Sequence, residues 1–239
     1  MAMTRLRHQL PGEVPGGTAD NFKTAAALTV TLGAAAACWV IAIDQMRGMD
    51  MGVATRLGSF AFFTASWTAM MAAMMLPGAA PAVLRRTHAS GRLLAAPLFA
   101  GSYIAIWVVV GMVVYAIYRP HGTIAAGVVV IAAGLYELTP IKRHFRLRCH
   151  EKAGSGLVFG LDCVGSSAGL TAMLVVLGVM SVSWMTVIAA VVVAQKLLSA
   201  RTTIDVPLAI VIVGLGIVIL AAPSSVPGLV PTTGHIPMM

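Results

Sequence analysis

Three groups of side chains in this sequence have the chemistry to bind a soft metal ion. The first is a methionine stripe. In Trp67-Thr-Ala-Met70-Met71-Ala-Ala-Met74-Met75-Leu-Pro77, Met70 pairs with Met74 and Met71 with Met75 at helical i,i+4 spacing, so each pair shares one helix face. Thioether sulfur is a soft ligand suited to Cu(I). Methionine is also an adaptable core filler, and both readings stand. The second group is Met46, Met49, Asp50 and Met51 in one short segment, His121 in another, and His235 with Met238 and Met239 near the end. Methionine and histidine together would make a copper-capturing surface; loops and tails also carry such residues without function. The third group is Glu137, Asp162, Cys163 and Gln195-Lys196, with Cys149, His150 and Glu151 between the first two. Cys149, Cys163 and His150 with the carboxylates would be a thiol–carboxylate metal site. Alternatively, Glu137 or Asp162 simply pairs with Lys142 or Lys196.

These residues must be positioned by apolar helices. Of 239 residues, 59% are hydrophobic and only 10% are charged, against about 25% charged in a soluble domain. Mean hydropathy is +0.91. An ordinary soluble enzyme, a nucleic-acid reader and a disordered chain are excluded. Three cysteines give no disulfide framework.

A transmembrane helix takes about 20 predominantly apolar residues. Seven stretches approach or meet that requirement: 24–43, 57–84, 93–118, 122–141, 156–180, 184–198 and 204–222. They are continuous apolar runs, not the short alternating strands of a membrane barrel. The expected fold is therefore all-α, a polytopic bundle of about seven spans, because lipid tolerates no unpaired backbone. It comprises a tail at 1–23, the bundle at 24–222 and a Pro-rich tail at 223–239. The first apolar run continues through 39–43, beyond a signal-peptide core, so it is expected to stay as a span.

Thirteen of the sixteen Lys and Arg residues fall in the first tail and in every second loop; Arg47, Arg56 and Arg119 make up the other side. The positive-inside rule then puts the N-terminus in the cytoplasm and the last tail outside. Asp162 and Cys163 would sit on the order of 10 Å inside the membrane boundary, at about 1.5 Å per residue. Carboxylates at that depth face the bundle interior, and Met71, Met75 and Gln195 are expected to line the same space. Gly156 with Gly160, and Gly165 with Gly169, are small-residue pairs that let helices approach closely. Pro77 and Pro81 are expected to bend the second span at its inner end. No internal repeat of the transporter kind is visible.

Four features are similar to a bacterial family of predicted metal-binding integral membrane proteins, domain of unknown function 2182. They are the Met-rich segment from Trp67 to Pro81, Gly101-Ser-Tyr103 with Trp107, Leu138-Thr-Pro140-Ile-Lys142, and Cys163-Val-Gly165 leading to Gly178-Val-Met180 and Trp184-Met185. The resemblance covers about 60–198. It implies a multi-pass protein of the bacterial inner membrane, with metal binding near Lys142 and the fifth span. The chain departs from the family where Phe145, Ser166 and Ser167 stand at positions commonly cysteine, and where Gln195-Lys196 replaces a Glu-Lys pair.

Three functions follow as expectations. The first is a membrane protein that binds or handles a transition metal such as copper. The second is a non-catalytic structural or assembly subunit, with other membrane proteins as partners. The third is a small-molecule permease using Glu137 and Asp162. No nucleophile set is placed for catalysis, so no enzyme is expected. The lipid bilayer is the expected surrounding and no nucleic acid the expected partner.

Overall fold

In the computed structural model, residues 16–47, 57–151, 154–178, 181–198, 202–226 and 229 are described. They form eight α-helices and one 3-10 turn: α1 Gly16–Met46, α2 Phe60–Ser90, α3 Ala95–Ile117, α4 Thr123–Glu137, α5 Pro140–Glu151, α6 Gly156–Gly178, α7 Val182–Leu197, α8 Thr202–Ala221 and Pro223–Ser225. No strand occurs among the described residues. Six of the seven apolar stretches each fall on one helix, and the fourth, 122–141, runs through α4 into the start of α5. By length and composition, four of them can cross a membrane: Asn21–Met46, α2, α3 and α6. The count is five if α4 and α5 form one span bent by 64°. α7 and the apolar part of α8 are shorter apolar helices. Outward-facing apolar side chains such as Val40, Leu98, Ile117, Ile124 and Ile210 are well exposed, a surface compatible with a multi-pass membrane protein.

The centre is a ring of four helices. α2 packs on α3, α3 on α6, α6 on α7, and α7 back on α2. α1 lies outside α2, α4 and α5 pack on α6, and α8 covers α4. The ring closes where residues are small. A Cβ on Gly156 would stand 2.3 Å from Phe99 O, and one on Gly160 2.9 Å from Ile106, so this pair admits α3. Gly165 instead makes room for the Phe145 ring of α5, and Gly169 for α4. Trp67 donates from Nε1 to Trp107 O at 2.8 Å, fixing α2 against α3.

α2 stays helical past both prolines to Ser90, so Pro77 and Pro81 do not end it. Both stand on one face and are only partly buried, while Met70–Leu76 and Gly78–Ala80 are buried among neighbouring helices. Packing holds the helix where two backbone donors are missing. The cap follows at Gly91, whose φ of 66° lets its N–H reach Thr87 and His88. One expectation about chain path does change, at the basic segment between the fourth and fifth apolar runs. It is a helix, α5, not a loop. Pro140 starts it, and Thr139 Oγ1 accepts from Lys142 N. Lys142, Arg146 and Cys149 recur on its buried face.

Candidate metal centre

α5 is a cationic strap across one end of the bundle. Lys142 pairs with Glu137 of α4, Arg146 with Asp205 of α8, and Arg148 with Asp162 of α6 at 3.3 Å. Gln195 Nε2 adds a second hydrogen bond to Glu137 Oε2 at 2.7 Å. Arg146 also donates to Gln195 O and Leu198 O, satisfying carbonyls at the end of α7 that no helical donor reaches. These carboxylates are thus neutralised by ion pairing, as burial demands. The expected partner of Glu137 was Lys142 or Lys196, and it is Lys142. Asp162 takes neither; it is held by Arg148.

The sulfur atoms follow a different arrangement. Each helix of the central ring gives one side chain to a continuous line of contacts. Lys196 of α7 donates to Met75 Sδ of α2 at 3.7 Å and to the Tyr103 hydroxyl of α3 at 3.0 Å. That leaves the Tyr103 proton for Cys163 Sγ of α6, 3.0 Å away. Met70, Met71, Met74, Met75, Tyr103 and Cys163 are all buried. Ser166 and Ser167 turn their hydroxyls back to Cys163 O, so both are occupied with their own helix. Beside this line is a cavity of about 40 Å³ whose lining includes Gly78, Cys149, Ser166 and Lys196. A space of that size has room for an ion or water.

The structure brings Met75 and Cys163 to one line and sets Cys149 at the adjoining cavity, with its Sγ 4.0 Å from Ser166 Oγ. It does not bring Glu137 and Asp162 into that line. Among the described residues, no three His, Cys, Asp or Glu side chains group as metal ligands; the side chain of His150 lies outside them. Soft donors from different helices, and not the carboxylates, are what fits a soft metal here. Of the second group, Met46 is buried in the core at the end of α1. His121 has Nδ1 3.2 Å from Arg119 O and Nε2 3.0 Å from Val176 O, so both ring nitrogens face backbone carbonyls. Met49, Asp50, Met51, His235, Met238 and Met239 lie outside the described residues. Tyr103 went unread as a site residue, although its i,i+4 spacing to Trp107 marks a shared buried face.

An all-helical bundle with apolar helices of membrane-spanning length and sulfur donors at its centre defines the class. Within it, the family model described as PpoB2, copper chaperone, matches residues 64–219. That is more than half of the chain, which belongs to this family. The match includes Met75, Tyr103, Cys163 and Lys196. No curated protein and no solved structure matches the chain.

Proposed function

We propose that this protein is a multi-pass inner-membrane copper chaperone that holds Cu(I) as cargo between Met75 and Cys163 and hands it to a membrane partner. The observation that carries the reading is the contact line through the four-helix ring, with a thioether at one end and a thiol at the other. Both are soft donors, and they come from helices across the ring from each other. Family membership supports copper as the metal. Cys149 at the cavity is the first sulfur that an entering ion would meet. On binding, Cys163 releases its thiol proton to water in the cavity, the Cu–S bond forms, and copper stays Cu(I). The mobile steps are ligand exchange, so no catalytic group is required.

The excess of Lys and Arg on alternate loops supports a cytoplasmic N-terminus and a copper site in the cytoplasmic half. α5 and its basic residues would lie at that surface.

The test is metal loading. Purified protein in mild detergent, reduced with ascorbate and given Cu(I), should retain close to one copper per chain by elemental analysis. X-ray absorption should show sulfur neighbours. Cys163→Ser and Met75→Leu should each lower occupancy sharply, with the helical circular dichroism unchanged. Retention equal to that of Cys163→Ser would refute the reading in favour of a metal-free assembly subunit.

A further inference from the structure

Lys196 differs from the cations of α5 that hold carboxylates. Lys142, Arg146 and Arg148 each have a carboxylate. Among the described residues, Lys196 has none within ion-pair distance; its ammonium is held by Met75 Sδ and the Tyr103 hydroxyl. A thioether is a weak partner for a strongly hydrated ammonium. It is better matched to a soft monovalent metal. α2 is also shaped for this side chain. A Cβ on Gly78 would lie 2.5 Å from Lys196 Cδ and 3.3 Å from its Cβ, so the missing side chain makes the channel in which the lysine stem lies.

We propose that the Lys196 ammonium is a built-in competitor for the copper site, occupying as one monocation the place that Cu(I) takes as another. The inference rests on the Met75–Cys163 reading. Loading requires Lys196 to withdraw. Its four-carbon stem is flexible and unbranched, it lines the adjoining cavity, and it sits in the last turn of α7, where the helix dipole favours a cation. Cys163 gives its proton to cavity water as before, and no electron changes hands. The return of Lys196 drives the metal out, which a carrier that must surrender its cargo needs.

The experiment compares Cu(I) affinity of the detergent-purified full chain with Lys196→Met and Lys196→Gln, by competition with a chromophoric Cu(I) chelator; thermal melts check folding. Removing the competing monocation should tighten binding by about tenfold or more in both variants. A second measurement uses the unaltered protein: Cu(I) loading should increase Lys196 modification by an amine-reactive reagent, read by mass spectrometry, because the ammonium leaves its shielded place. If copper binds and Cys163→Ser abolishes it, while Lys196 substitution leaves affinity unchanged or weaker, or Lys196 reactivity does not rise, the competitor role fails and the copper site stands. If neither the unaltered chain nor the variants bind Cu(I), the copper-site reading fails, and the competitor role with it.

Discussion

At the scale of single residues, burial divides the polar side chains into two kinds. Glu137 and Lys142 are almost wholly enclosed, with side chains 0% and 2% exposed. Removing one partner of such a pair strands the other charge, which costs about 3–5 kcal/mol. Glu137→Gln should therefore destabilise the bundle by roughly that amount, measured as detergent-solubilised unfolding. Adding Lys142→Met should restore most of the loss; a double variant no better than the single would show that the pair is not the cause. Cys163 and Met75 carry no such charge, so Cys163→Ser should be nearly silent in the same unfolding assay while changing copper retention. Gly165 is a third kind of position. A Cβ there would stand 2.5 Å from the Phe145 ring, so Gly165→Ala should cost about 1–3 kcal/mol through overpacking. Phe145→Leu in the same chain should recover part of it. Equal stability of Gly165→Ala and the unaltered protein would mean that α5 shifts freely on α6.

At the scale of elements, α2 and α5 show how context overrides local signals. Pro77 lacks the N–H for Ala73 O, a defect of about 3 kcal/mol in an exposed helix interior. In α2 the segment is clamped by α1, α3 and α7, so the helix continues. Pro77→Ala should leave thermal stability within about 1 kcal/mol or raise it; a loss above about 2 kcal/mol would show that the proline ring itself packs an essential contact. α5 is the reverse case. Its sequence is strongly basic, and as an isolated segment it would stay in water. Three carboxylates from α4, α6 and α8 draw its cations inward.

For the molecule as a whole, the two ends of the bundle differ in charge. Lys142, Arg146 and Lys196 mark one end, and α1 begins there too, since Thr24 meets His88 near the end of α2 at 2.8 Å. The native Cys149 is buried, so a thiol reagent will miss it from either side. An exposed position reports better. In a Cys38→Ser background, an impermeant thiol reagent added to intact cells should label Arg119→Cys and spare Arg92→Cys. Labelling of Arg92→Cys alone would reverse the orientation inferred from the Lys and Arg distribution.

The helical class, the apolar runs and the presence of soft donors were legible in the sequence, because each depends on composition or on spacing along one helix. The i,i+4 pairing of Met71 with Met75 is such a local property. So was the Glu137–Lys142 alternative, where the partners are only five residues apart. α5 was legible only in part. Its proline start and the recurrence of Lys142, Arg146 and Cys149 are helical signals, yet its high charge made it read as a loop. What stayed hidden was which helices adjoin. Met75, Tyr103, Cys163 and Lys196 come from four helices spread over the chain, and nothing in their spacing says that α2, α3, α6 and α7 close a ring. That arrangement is set by where small residues let backbones approach: Gly156 and Gly160 toward α3, Gly78 beneath the Lys196 stem. The pairing of Asp162 with Arg148 was equally beyond the sequence, since Arg148 is one of several cations in the same basic segment and spacing does not rank them. Only the packed bundle fixes which of them can reach.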